Sequence, residues 1–336
     1  MKIQSQLIEN FWHLIGHASD IESNGDYICL QIGDYDFAVY NDFGNVIAFD
    51  NRCPHRGTKF FDYGVGNAKL TCPYHGWTYT KGRLYVSERK RFDFDEEPSL
   101  NFLKLTFVGK WLFIAITPSL KIEDQLKGMY ELLAVLGDQV EKNIDVNRYI
   151  YETFWPIAIE NALEPYHIAD IHTSTLANLN LSDGVDDFYA WGSCWRAEIN
   201  DERMFKNLSK LDKFFNLNYQ FKGYEFIYIF PFSMISNTFG YSYSVQNFFP
   251  RKDNESTNFI SRFYAATLRD TKSEKILTSF FQSSIKLNRE VFAEDHEICK
   301  RLDKNIWNAS SMNYLANNEL KIQHFRQILN NLESNL

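Results

Sequence analysis

Between Asn51 and Trp77 the sequence reads NRCPHRGTKFFDYGVGNAKLTCPYHGW, which sets Cys53 and His55 two residues apart and Cys72 and His75 three apart. Each pair straddles a proline, and a glycine, Gly57 or Gly76, follows each histidine closely. Proline fixes φ and glycine admits backbone conformations closed to other residues, so both halves read as tight loops. Each loop offers one thiol and one imidazole, and sixteen residues separate the two. Whatever this chain folds into must hold those loops side by side.

The mixture within each loop discriminates between metals. A Cys2His2 zinc finger pairs cysteine with cysteine and histidine with histidine. In a Rieske [2Fe–2S] centre two histidines replace two cysteines on one iron, which raises the potential above that of an all-cysteine cluster. One Cys and one His from each of two loops supply that set, so Cys53, His55, Cys72 and His75 are the candidate cluster ligands. A zinc site, or four unrelated buried residues, is the alternative. The remaining cysteines, Cys29, Cys194 and Cys299, lie in apolar or mixed contexts and read as buried thiols.

Five cysteines make a sparse, odd set; in a reducing compartment a disulfide framework is not expected, and the paired Cys/His spacings point to metal instead. Net charge is −8 with acidic and basic residues interleaved and no basic stripe, which disfavours nucleic acid as a partner. No segment reaches the length of a membrane span and the N-terminus lacks a signal-type apolar run, so the expectation is a soluble, cytoplasmic protein without membrane contact.

At 336 residues two domains are expected. Residues 26–50 alternate as strands punctuated by Gly33, Asn41 and Gly44, and GRLYV and FVGKWLFIAI continue the pattern. Residues 1–118 therefore read as a small antiparallel β domain. A helix is expected from about Glu123 to Val140, extended runs resume at Tyr149, and NALEPYHIADIH is helix-like. Residues 222–269 hold several strand-like runs, including YEFIYIF, YSYSVQNFF and NFISRFYAATL, and helical patterns cover about Ser273 to Lys304 and Tyr314 to Leu332. Residues 119–336 thus read as an α+β domain, an antiparallel sheet with helices against it.

This second part carries Asn161, Glu164, His167 and His172 in NALEPYHIADIH. Two histidines and one carboxylate form the facial triad of non-haem Fe(II) oxygenases, leaving positions open for chemistry. On a regular helix, residues five apart diverge by about 140°, so His167 and His172 meet only where the helix ends or widens into a π-turn, which Pro165 favours. Taken alone, the spacing reads more readily as a surface helix with two solvated histidines. Farther on, VFAEDHEICKRL sets Asp295 in the middle of an apolar stripe of Val291, Phe292, Ile298, Cys299 and Leu302, with Glu294 on its flank and Glu297 facing away. A carboxylate on an apolar face needs a metal, an arginine such as Arg301, or a hydrogen-bonding cluster.

CPHRG and CPYHGW resemble the cluster loops of Rieske oxygenases and Rieske ferredoxins. Respiratory Rieske proteins carry an extra, disulfide-forming cysteine in each loop, where this chain has Thr58 and Tyr74. A ferredoxin would end soon after residue 110. Glu164-x2-His167-x4-His172, preceded by Glu160-Asn161, resembles the catalytic-iron motif of Rieske non-haem iron oxygenases, and the Glu294-Asp295 segment resembles that family's late carboxylate ligand. The resemblance implies a mononuclear Fe(II) held by His167, His172 and Asp295, with Asn161 beside it.

It further implies head-to-tail homotrimers in which Glu164 links His167 to a neighbouring subunit's His75, as the route for an electron from cluster to iron. Substrate would then be hydroxylated or demethylated with O2. Electrons would come from a separate NAD(P)H-dependent reductase, directly or through a ferredoxin, because the chain has no flavin or nicotinamide motif. Glutamate at 164, where the family more often has aspartate, resembles the branch acting on quaternary ammonium compounds, with aromatic substrates next. Rings between Tyr224 and Phe249 are candidates for a cation cage, against a plain core-packing role. The competing reading is a Rieske electron carrier or redox sensor without oxygenase activity.

Overall fold

A computed structural model describes residues 2–303, 305, 314–317 and 319–334. The chain opens with α1 (Lys2–Asn10). There follow β1 (His13–His17), β2 (Asp26–Ile32), β3 (Tyr35–Asp42), β4 (Asn45–Asp50), β5 (Gly64–Asn67), β6 (Thr78–Thr80), β7 (Arg83–Tyr85), β8 (Lys104–Val108) and β9 (Trp111–Ala115). They form three antiparallel sheets, ordered β4-β3-β2-β5, β1-β9-β8 and β6-β7. The segment from Asn51 to Trp77 contributes only short β5 to these sheets and otherwise forms loops at their end.

The helix expected over 123–140 is two helices, α2 (Ile122–Gln125) and α3 (Tyr130–Asp138). Gly128 separates them at φ +91°, against the ring of Tyr189. The remaining strands are β10 (Val140–Tyr151), β11 (Val185–Tyr189), β12 (Gly192–Ala197), β13 (Tyr224–Ile229), β14 (Ser233–Thr238), β15 (Ser242–Pro250) and β16 (Thr257–Ala266). They form one antiparallel sheet ordered β10-β16-β15-β14-β13-β12-β11. Around it lie α4 (Trp155–Leu163), α5 (Ile168–Ile171), α6 (Glu202–Ser209), α7 (Thr271–Cys299) and α8 (Leu320–Ser334). The expected end of the penultimate helix at Lys304 lies outside the described residues, and Leu302 is past α7 and exposed rather than part of its stripe.

The two sets of sheets share a core. Ile28, Leu30 and Phe37 from the first join Tyr228, Phe248 and Phe259 from the second in one apolar cluster. Phe11, just after α1, packs edge-on against Trp191 and Phe230 at 4.9 and 5.1 Å between ring centres. Polar contacts fix the register of that junction: Asn247 donates to the Leu14 carbonyl at 2.8 Å, and the Tyr264 hydroxyl donates to Asp20 at 2.6 Å. Among the described residues no helix is long and apolar enough to cross a membrane.

Candidate metal centres

The two Cys/His loops close by the same hydrogen bonds. Cys53 donates its N–H to the Thr58 carbonyl at 2.8 Å, and Gly57 donates to the Cys53 carbonyl at 2.8 Å. Cys72 and Gly76 repeat this with the carbonyls of Trp77 and Cys72, at 2.7 and 2.9 Å. Gly57 and Gly76 sit at φ +74° and +71°, the left-handed region that each loop needs to turn back on itself. Buried Asn51 ties down the first loop through the backbone of Phe61, donating at 2.7 Å and accepting at 3.0 Å. Asp42 holds the hairpin behind the second loop by accepting from the N–H groups of Lys81 and Gly82.

Both thiols are buried, and the His55 and His75 rings lie 4.6 Å apart. His55 stacks on Trp77 at 4.8 Å, and its Nδ1 is buried without a hydrogen-bond partner. Burial pushes the Cys53 thiol up to about 11, so a thiolate there requires a bound cation. Two buried sulfurs and an orphaned ring nitrogen fit a two-iron cluster. His75 itself is exposed, with Tyr74 beside it.

The second site forms where a helix stops. Pro165 disfavours helical backbone at the residue before it, and Glu164 is accordingly extended at φ −98°, ψ 130°. After one turn α5 begins just past His167 and ends just before His172, which leaves the helix at ψ 36°. The two rings therefore converge through helix termination, not through a π-turn. Their Nε2 atoms are 3.1 Å apart, and Asp295 Oδ1, from α7, is 3.3 Å from the first and 3.1 Å from the second.

Each ring is gripped from behind. Glu164 meets His167 Nδ1 at 2.8 Å and also accepts the His167 N–H at 3.1 Å. Glu294 meets His172 Nδ1 at 2.7 Å and accepts from the Thr175 hydroxyl at 2.7 Å. Asn161 Nδ2 donates to Asp295 Oδ1 at 2.9 Å. With Nδ1–H committed to a carboxylate, each histidine turns a lone pair toward the other and toward a carboxylate oxygen. Three such donors within 3.3 Å of one another call for something shared between them, a proton or a metal ion. Burial alone would lower the His167 imidazole, but hydrogen bonds to Asp295 and Glu164 push it up to about 9. Burial alone would raise Asp295, but the two histidines hold it below the usual range. The donor set, two imidazoles and a carboxylate, fits a divalent first-row metal.

The structure thus brings together His167, His172, Asp295, Asn161 and Glu164, and Asp295 makes no pair with Arg301. Glu294 and Thr175 were not singled out in the sequence as site residues. The available signal was that a ligating His172 must find an acceptor for its second nitrogen. Of the rings between Tyr224 and Phe249, Tyr224 and Phe226 line this pocket, while Tyr228, Phe230, Phe232, Tyr241 and Tyr243 are core.

The sequence pattern of the Rieske [2Fe–2S] domain matches residues 11–89. That of the ring hydroxylating alpha subunit (catalytic domain) matches residues 142–333, more than half of the chain. The chain belongs to the Rieske ring-hydroxylating alpha-subunit family. The two domains imply a [2Fe–2S] cluster and a mononuclear iron. The chain is 32% identical over 194 residues to the glycine betaine monooxygenase oxygenase subunit of Chromohalobacter salexigens, covering 54% of this chain and 42% of the relative. It is 28% identical over 221 residues to toluate 1,2-dioxygenase subunit alpha of Pseudomonas putida, covering 60% and 49%. The chain thus spans about half the length of the curated relatives it matches. Family relatives include both mono- and dioxygenases. The fold is that of a quaternary ammonium Rieske monooxygenase (TM-score 0.76, 21% identity, 98% of this chain and 90% of that one). It is also that of naphthalene 1,2-dioxygenase from Rhodococcus sp. (TM-score 0.73, 16% identity, 98% and 91%).

Proposed function

We propose that this chain is the terminal oxygenase component of a Rieske non-haem iron system, using O2 and electrons from a separate reductase to hydroxylate or demethylate a small organic substrate. Residues 1–118 would hold the cluster through Cys53, His55, Cys72 and His75, and residues 119–336 the iron through His167, His172 and Asp295. The observation that carries this reading is the convergence of two Nε2 atoms and one Oδ1 within 3.3 Å in the same chain as the paired Cys/His loops. A simple electron carrier has no use for that second cluster of donors.

Iron held by His167, His172 and Asp295 would supply the activation of O2, and a cluster held by Cys53, His55, Cys72 and His75 would supply electrons. The chain's own part is positioning. Glu164 and Glu294 fix both histidines in the Nδ1–H tautomer and leave Nε2 as donor. Asn161 holds one Asp295 oxygen in place. Val291 and Phe292 form the apolar part of the pocket wall beside Asp295. Glu164 keeps one side toward the surface, and Tyr166 next to it is 73% exposed. On the other domain His75 and Tyr74 are exposed, which suits a homotrimer in which the part-buried Glu164 meets a neighbour's His75. An NAD(P)H-dependent reductase, with or without a ferredoxin, and a cytoplasmic setting complete the reading.

Iron quantitation tests it. Three irons per chain, with oxygen uptake when a surrogate reductase and a panel of organic substrates are added, is the expected result. Two irons per chain and no uptake would leave the carrier reading. For the substrate, glutamate at 164 and the relatives named for glycine betaine and carnitine favour a quaternary ammonium compound. The chemistry of the adjoining cavity favours another class.

A further inference from the structure

Between α7 and the seven-stranded sheet lies a cavity of about 320 Å³, room for on the order of ten waters at liquid density. It adjoins the histidine–aspartate pocket through Leu176, Tyr224, Gln246, Val291 and Phe292, which line both. A sheet face covered by a helix is ordinarily apolar. Here the alternation along β15 is inverted. Tyr243 and Val245 point into the apolar core of the opposite face, whereas Ser242, Ser244 and Gln246 line the cavity. Across the sheet, Ser236 stands in register with Ser244, and Ser261 with Gln246.

These groups are buried but loosely paired. Gln246 Nε2 reaches Ser236 Oγ at 3.3 Å, Ser244 and Ser261 hydroxyls are 3.5 Å apart, and Asn288 of α7 donates to Ser261 at 3.1 Å. The first two are longer than good hydrogen bonds, so they are free to exchange for a better partner. Burying amide and hydroxyl groups without strong partners is costly, and a ligand's own polar groups would offset that cost. Asn237, Thr238, Ser283 and Ser284 also line it, Asn237 and Ser284 already donating to Glu225 and to the Phe280 carbonyl, and most of the remaining wall is apolar, with Leu208, Phe263, Phe280 and Leu287 among its residues. Among the described lining residues of this cavity none is charged. The nearby Lys321 lines the metal pocket and not this cavity. Its ammonium is already engaged by Asp186 at 3.4 Å and by the face of Trp195 at 4.5 Å.

We propose that this cavity takes an uncharged substrate with one apolar edge and two or more hydroxyl or carbonyl groups on the other, read by Gln246, Ser236 and Ser244. The proposal rests on the oxygenase reading, which makes the space beside His167, His172 and Asp295 the place of the reacting carbon. A carboxylate entering here finds no cation, and a quaternary ammonium finds no anion on the lining to offset its lost hydration. The faces of Tyr224 and Phe280 would offset only part of the latter cost.

Three probes of one shape test this: cis-indane-1,2-diol, indane-2-carboxylate and indan-2-yl-trimethylammonium. They are titrated calorimetrically into the iron- and cluster-loaded protein, without reductant. The diol should bind at least tenfold more tightly than either charged probe, and Gln246→Leu and Ser244→Ala should each weaken it by about five- to tenfold. Equal or tighter binding of a charged probe overturns the proposal. So does failure of the diol to bind while both metals are present, or diol affinity unchanged in both variants. Because binding is read without turnover, diol binding without oxygen uptake on adding reductase would sink the oxygenase reading alone. Uptake coupled to a charged probe would sink the cavity assignment alone.

Discussion

The Nε2 atoms of His167 and His172 come within 3.1 Å of each other because a carboxylate holds each ring from behind. Glu294 is the less obvious of the two, since it neighbours a proposed ligand and touches the other side of a different one. Glu294→Ala should free the His172 ring to rotate, weakening the mononuclear site for iron by roughly 10- to 100-fold. The Rieske signal by EPR should be unchanged, and chelator competition measures the loss. Asp295→Ala should go further and empty that site while keeping two irons per chain. Retained third iron would move the assignment to another carboxylate. Protons compete at the same atoms. In the metal-free protein burial lowers His167, but Asp295 and Glu164 raise it to about 9, above its ordinary value. Below that pH iron must displace a proton, so its apparent affinity should climb by up to about tenfold per unit from pH 7 to 9 and then level off. A flat affinity over that range would show that His167 is not protonated there. In the metal-free fold the same raised value stabilises below about pH 6.5 and is lost as pH passes 9.

At the scale of elements, the loops around Cys53 and Cys72 were legible because proline, glycine and ligand occur at fixed spacing within a few residues. Gly57 has no atom within 4 Å of where a Cβ would stand, so Gly57→Ala probes its φ of +74° alone. It should cost about 1–2 kcal/mol of stability. Gly109, in the turn between β8 and β9, is different: a Cβ there would run into the Ala134 carbonyl oxygen of α3. Gly109→Ala should lower the melting temperature distinctly more than Gly57→Ala, and equal losses would refute the close approach. Other elements were hidden for physical reasons. β10 lies at the sheet edge and carries Glu141, Lys142, Asp145 and Arg148, a charged pattern that protects edges and masks strand alternation. β14 reads SMISNT, polar in sequence yet fully inside the sheet, because part of it faces the cavity. The break between α4 and α5 was signalled by Pro165, but nothing local distinguished a terminated helix from a widened one. That distinction depends on α7 arriving with Asp295 and Glu294, more than 120 residues later.

For the whole molecule the question is whether the two centres of one chain serve each other or a neighbour's. Each centre has a ligand or its partner beside an exposed tyrosine: exposed His75 with Tyr74 at 57%, and the part-buried Glu164 with Tyr166 at 73%. Such wet aromatic rims suit contacts between subunits more than a buried path within one. In a head-to-tail ring every interface is heterologous, so one subunit's cluster would meet the next subunit's iron. Glu164→Gln should then leave both metals bound, since Asp295, His172 and the cluster loops are untouched, yet nearly abolish turnover. Subunit mixing makes the geometry decisive. Cys72→Ser chains should lack the cluster and Asp295→Ala chains the mononuclear iron, so each homomer is inactive. If electrons cross between subunits, unfolding and reassembling the two together, with iron and sulfide supplied, regenerates interfaces in which an intact cluster faces an intact iron. Random assortment gives roughly a quarter of the wild-type number of such interfaces, and oxygen uptake should recover to about that fraction. If electrons stay within a chain, no mixture recovers anything, because neither chain type holds both centres. A null result in mixtures that have reassembled into the proposed ring would thus end the inter-subunit route, while leaving the two metal sites as described.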